Sequence, residues 1–517
     1  MTYSILIKNG TVIDGLGVPP RKADVGISGN YIKDVGDLSS ASAEKTIDAT
    51  GHIVAPGFID LTNHSDTYAT IFSNPSQDSM IRQGVTTILF GNCGESLAPI
   101  TKKETLMDLN KWVAASAINL DWNSMSEYYD VLKDIHPGVN IASLVGHETL
   151  RRNTVVADEM AILLESAMVQ GAWGLSSNFS FRDWGKTLAE TIDLLKVVKS
   201  FGGLYKIHLR DEGKNFLPSV AALIDAVRTT GVRTVISHIK AIGRSSWGDF
   251  TKALRMIENA KGSGLEIYFD FFPYLRTGSM LMNLLPEWAR EGNDEVILKR
   301  ISDPSESAKI LRDLKVITLH ADRIFIASAK ADKNIVGKTL LEIALKVSMP
   351  PEEVILEILK INSLNITFFG KTIAAKNLIF ASRHKDSVLA SDGAGYNIEF
   401  QRSGDLVHPR SYGAYPRFFS VVSPKAKLKP EEAIEKMTSH PAKILGLDDR
   451  GRLSKNHLAD IVIFDENGFR DRATYKNPFR YPDGMKCVIV NGKIAFADDG
   501  DKNIMRNGVI LKRNINA

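Results

Sequence analysis

Seven residues able to bind a metal or move a proton stand at or just beyond the ends of short apolar runs: Asp60, His64, Cys93, His147, His208, His238 and Asp392. A lone histidine at the end of a strand is more often a hydrogen-bonded core residue than a ligand. Four of the eleven histidines in this pattern, with a cysteine and two aspartates, call for a common explanation. Cys93, His208 and His238 offer a thiolate and two imidazoles, borderline-soft donors suited to Zn²⁺ in a three-ligand site that keeps a position open for water. Such a metal lowers the pKa of its water from ~15.7 toward ~7 and polarises a carbonyl. Asp392 would then be the general acid and base, taking a proton from the water and handing it to a leaving amine. The chemistry this suggests is hydrolysis of a carbonyl compound, an amide above all.

Eight elements must position these side chains. Candidate strands end near Asp60–His64, Phe90, Gly146, Ser177, His208, His238, Pro273 and Asp392, with helical periodicity between several of them, as in Leu188–Ser200 and Leu217–Thr229. Eight strand-then-helix units are the count of a TIM barrel, an α/β fold whose strand tips face one mouth where catalytic residues gather. Both ends of the chain instead alternate short apolar runs with turn signals such as Asn9-Gly10, Asp14-Gly15 and Asn491-Gly492, the pattern of antiparallel strands. The expected organisation is a small β-sandwich domain built from 1–57 together with 447–517, and a barrel over 58–446. An inserted subdomain over the barrel mouth is expected at 281–365, where more chain is present than one crossover needs.

Composition narrows the function classes. The 517 residues are 44% hydrophobic and 24% charged, ordinary for a globular protein and too long for one simple core. No apolar stretch approaches the ~20 residues that span a bilayer, and the start, Met1-Thr2-Tyr3-Ser4, has no signal-peptide pattern. A cytoplasmic protein is expected. The net charge of +4 is spread without long runs, so neither nucleic acid nor a membrane surface is an expected partner. Two cysteines, Cys93 and Cys487, exclude a disulfide framework; Cys487 lies in an apolar run and reads as core filler.

The sequence resembles the N-acyl-D-amino-acid deacylases (D-aminoacylases) of the amidohydrolase superfamily over nearly its whole length. The resemblance rests on Ala55-Pro56-Gly57-Phe58-Ile59-Asp60 with His64 and Asp66, Gly91-Asn92-Cys93-Gly94, Gly146-His147-Glu148-Thr149-Leu150-Arg151 and Gly174-Leu175-Ser176-Ser177. It continues through His208-Leu209-Arg210-Asp211-Glu212, Ser237-His238-Ile239-Lys240, Ser391-Asp392-Gly393 and His408-Pro409-Arg410-Ser411-Tyr412-Gly413. It implies that Cys93, His208 and His238 hold a tightly bound zinc, that Asp392 is the general base, and that Lys240 and Arg410 grip a free carboxylate on a small-molecule substrate. Guanidinium suits that task because its fork matches a carboxylate. Ser279 resembles a serine that helps hold the same carboxylate, while His147 and Tyr274 are expected near the scissile carbonyl. A homo-oligomer is left open.

Two departures stand out. Where the family carries a His-x-His pair on its first strand, this chain reads Thr62-Asn63-His64, and a hydroxyl is a poor zinc ligand beside imidazole. One tightly bound zinc is therefore expected, with His64 as a weak ligand or hydrogen-bonding group. Where relatives read Tyr-Pro-Tyr, this chain has Phe272-Pro273-Tyr274, and Phe272 has no hydrogen to donate. The competing readings are a hydantoinase- or dihydropyrimidinase-like cyclic amide hydrolase, and a barrel that has lost catalysis and acts as a scaffold. Trp173, Trp184 and Trp247 are candidates to line an acyl pocket, and Arg244 and Arg276 to favour an acidic side chain.

Overall fold

A computed structural model describes residues 2–102, 121–178, 184–316, 319–499 and 503–514. Its centre is a (β/α)8 barrel. The parallel strands are Phe58–Asp60, Val85–Phe90, Asn140–Ser143 continuing as Val145–Gly146, Gly174–Asn178, Leu204–His208, Arg233–Ile236, Ile267–Phe271 and Ser387–Leu389. The barrel closes between its last and first strands, where the His64 amide donates to Gly393 O at 2.8 Å and the Asp392 amide to Thr62 O at 2.9 Å. Helices cover the strands because their apolar residues recur every three or four positions. Phe216–Thr230, for example, buries Phe216, Val220, Leu223, Ile224 and Val227, and ends at Gly231 in the left-handed conformation that closes a helix.

Both ends of the chain build one β-sandwich. Thr2–Val12, Arg21–Ser28, Tyr31–Gly36, Ser42–Asp48 and His52–Pro56 join Ile461–Asp465, Met485–Val490 and Lys493–Ala497 in an eight-stranded sheet. The sheet folds on itself because Thr2–Val12 pairs in parallel with Ser42–Asp48 over its first part and with Ile53 and Val54 at its end. The core so enclosed includes Ile7, Val25, Ile461, Ile489 and Cys487, whose thiol is pushed up to about 12 by burial. Beyond this domain the chain returns to the barrel floor: the amide of Ile141 donates to Val509 O, that of Leu511 to Ile141 O, and Trp173 Nε1 to Leu511 O at 2.6 Å.

After the seventh strand comes a subdomain with its own core of Leu281, Ile301, Ile326, Ile355 and Leu359. Its antiparallel sheet joins Ile324–Ala329, inside the span 281–365, to Arg276–Met280 and Ile366–Lys371, which flank that span. The Pro-led run forms the helix Pro351–Ile361, which buries Val354, Ile355, Ile358 and Leu359 against that core. The subdomain meets the barrel mouth through Phe369, which packs edge-on against His408 at 5.2 Å.

Candidate active site

The loop after Phe90 is shaped to deliver Cys93. Gly91 adopts φ +71°, and a Cβ there would lie 2.1 Å from Leu144 O, so only glycine fits. Asp66 Oδ2 accepts from the Gly91 amide at 2.8 Å, and Asn92 Nδ2 donates to Leu89 O at 2.7 Å. Cys93, His238 and Asp392 themselves all have positive φ, at 55°, 36° and 52°. Non-glycine residues hold such conformations at a cost of ~1–3 kcal/mol each, and only where their surroundings over-determine them. For His238 the restraint is its amide on Asp270 Oδ1 at 2.5 Å; for Asp392 it is the barrel-closing bond to Thr62.

These backbones bring Cys93, His208 and His238 together, each offering a ligand atom within 4.8 Å of the others. Cys93 Sγ lies 3.3 Å from His238 Nε2, and the two imidazole rings meet edge-on at 4.6 Å. Burial opposes ionisation of the Cys93 thiol, but the charge of His238 and the hydrogen bonds of His208, His238 and His64 outweigh it and hold the thiol well below its ordinary value. A thiolate beside two imidazoles, half-open toward the mouth, fits the donor set of a catalytic zinc site.

Asp392 stands beside this cluster. One carboxylate oxygen is 3.2 Å from His64 Nε2, and the other accepts from the Arg410 guanidinium. Burial would raise its pKa, yet Arg410, His238 and His64 together keep it well below the usual carboxylate range. Arg410 also lies over the Phe272 ring at 5.0 Å. Lys240 Nζ donates to Glu212 Oε1 at 2.5 Å and sits 2.8 Å from His238 Nδ1. Glu212 is buried, which alone would raise its pKa, but Lys240, His208 and His238 pull it down to about 2.

The other expected site residues have hydrogen-bond partners of their own. His147 Nε2 meets Glu190 Oε1 at 2.5 Å, and the Tyr274 hydroxyl donates to Pro409 O at 3.3 Å, so that phenol braces the loop leading to Arg410. Ser279 Oγ accepts from Asn283 Nδ2 at 2.9 Å, within the subdomain sheet. Trp173 packs on the barrel floor, and Trp247 Nε1 donates to Thr372 O; the side chain of Trp184 falls outside the described residues. Arg276 donates to Arg323 O, and Arg244 is exposed. Sequence reasoning gave no role to three charged residues: Glu212, four positions after His208, and the buried pair Lys206 and Asp270, whose lysine shares one face of its strand with His208.

A (β/α)8 barrel with a terminal β-sandwich and a Cys-His-His cluster beside an aspartate at its strand tips is the architecture of a metal-dependent hydrolase of the amidohydrolase class. The profile of the Amidohydrolase family matches residues 45–261 and 384–496. Within that superfamily the chain belongs to the D-aminoacylase family. It is 30% identical over 521 residues to N-acyl-D-glutamate deacylase of Alcaligenes xylosoxydans xylosoxydans, covering 98% of this chain and 96% of the relative. A structure of N-acyl-D-glutamate deacylase from Bordetella bronchiseptica, complexed with zinc and a phosphonate mimic of the tetrahedral intermediate, superposes with a TM-score of 0.82. It is 26% identical and covers 99% of this chain and 100% of that one. A D-aminoacylase described for its binuclear metal center, with one-metal activation and second-metal attenuation, superposes at 0.81 with 28% identity over 99% and 100% of the two chains.

Proposed function

We propose that this protein hydrolyses the amide bond of N-acyl-D-amino acids or related N-acyl or D-peptide compounds, using one tightly held zinc. The convergence of Cys93, His208 and His238 beside Asp392 carries this reading. Zinc on those three ligands would lower the pKa of a water and polarise the scissile carbonyl. Asp392 takes the water's proton as oxygen adds to the carbonyl carbon, then passes it to the amine nitrogen as the C–N bond breaks. Arg410, His238 and His64 keep Asp392 ionised at neutral pH, so it has no proton of its own to lose before it takes one from the water. Arg410, stacked on Phe272, offers its remaining N–H donors to the substrate carboxylate, with Lys240 as the second cation. A neutral cyclic amide brings no carboxylate to pair with Arg410, which favours the linear substrate.

The test is a screen of N-acetyl-D- and N-acetyl-L-amino acids with zinc added and with zinc chelated. Turnover of D-substrates that disappears on chelation and returns with zinc is expected. Asp392→Asn should abolish that turnover and keep its zinc. Absence of turnover on every N-acyl amino acid by zinc-loaded protein would overturn the proposal.

A further inference from the structure

Lys206 lies inside the barrel with no exposed surface, two residues before His208 on the same face of the strand. Its ammonium has three hydrogens and three acceptors: Leu61 O, Thr62 Oγ1 at 2.6 Å and Asp270 Oδ2 at 2.9 Å. Thr62 Oγ1 accepts from Lys206 and donates to Asp270 Oδ2 at 2.7 Å, so the hydroxyl is used on both sides. The triad is tied to the candidate metal site twice. Asp270 Oδ1 receives the His238 amide at 2.5 Å, and Thr62 O receives the Asp392 amide at 2.9 Å. The buried Lys206–Asp270 pair thus sits one hydrogen-bonded link behind the backbones of both His238 and Asp392.

A second metal ion next to Cys93, His208 and His238 would have to use His64 and Asp392, already 3.2 Å apart, and would need a further donor from the first strand. The position that could supply it is Thr62, two residues before His64, and its oxygen is committed to Lys206. Lys206 and Asp270 form a buried ion pair at 2.9 Å whose charges offset one another, so the triad brings no net anion to a second dication. The anion that might have balanced it, Asp270, is neutralised by Lys206.

We propose that Lys206 is a built-in cation standing in for a second metal ion, so that Thr62 and Lys206 act as a pair confining the site to a single ion. This rests on the assignment of Cys93, His208 and His238 as ligands, and the experiment separates the two. Metal per chain is measured by elemental analysis, and by the cobalt(II) absorption of metal-free protein titrated with that ion, for wild type, Thr62→His, Thr62→His/Lys206→Ala, the milder Thr62→His/Lys206→Gln, and Cys93→Ala. Wild type and Thr62→His should saturate at one ion, whereas whichever double variant is soluble should take two. Two ions in wild type or in Thr62→His, or one ion in a folded double variant, would overturn the role of Lys206. Retention of the ion by Cys93→Ala would instead overturn the ligand assignment.

Discussion

Glu212→Gln probes how the site holds its own charges. The Glu212 carboxylate falls from 4.5 to about 2 because Lys240, His208 and His238 more than offset its burial. A displacement of that size corresponds to ~3 kcal/mol of interaction favouring the ionised form. Because the folded value lies below the ordinary one, this stabilisation is complete above about pH 4.5 and is lost as pH falls through about 2. Removing the charge at pH 7 should therefore cost metal-free protein up to ~3 kcal/mol, or ~3 °C at ~2.1 cal/mol/K per residue over 517 residues. Lys240 would lose its 2.5 Å partner and press on His238 Nδ1 at 2.8 Å, so zinc affinity should drop ~10–100-fold, as when other supporting groups of ligands are removed. Urea unfolding of metal-free wild type and variant from pH 7 to pH 3 gives the first quantity, and competition with a chelator the second. Equal urea midpoints at pH 7 together with equal zinc affinity would refute the argument. A stability gap that does not narrow as pH falls would refute its electrostatic origin.

His238 in the metal-free site titrates near 9, since Asp392 and Cys93 outweigh burial and the nearby Lys240. Zinc must displace that proton below about pH 9, so affinity measured by competition should rise up to tenfold per pH unit toward 9; a flat profile would contradict the coupling. Gly91→Ala places a Cβ 2.1 Å from Leu144 O at φ +71° and should cost more than ~2 kcal/mol while weakening zinc binding through Cys93; a variant within 0.5 kcal/mol of wild type in urea, roughly the scatter of surface changes, would show that the loop yields. His440, lowered to about 4 mainly by burial and then by Lys436, stabilises the fold fully above 6.5, and that contribution, ~3 kcal/mol, is lost as pH falls toward 4. His440→Gln should flatten stability across that window, which urea midpoints at pH 7 and 4.5 would reveal.

The eight barrel strands were legible because each ends in a residue type that the fold explains, and Thr62 stood out because a hydroxyl replaced an imidazole. Its partner did not stand out. Lys206 interrupts the strand Leu204–His208 as an isolated charge, and what neutralises it, Asp270, is 64 residues away in sequence. Pairings across a barrel follow from its closure, which local patterns do not encode. Tyr274 and Trp173 are similar cases: their positions in the sequence are near the chemistry, but a carbonyl at Pro409 and another at Leu511 decide where their polar atoms point. The subdomain sheet was hidden because Arg276-Thr277-Gly278-Ser279-Met280 lacks the alternation that marks a strand, and its pairing partner Ile366–Lys371 follows four helices later.

The run that returns to the barrel floor also bears on the order of folding. Its contacts with Ile141 and Trp173 involve residues near 509–511, which leave the ribosome long after the last barrel strand. Until they arrive, the third strand shows water an unsealed end, and the sandwich lacks its Ile461–Ala497 half. The floor of the barrel and the sandwich therefore close on segments that follow the last barrel strand in the chain, so neither completes its packing before residues 461–511 are in place.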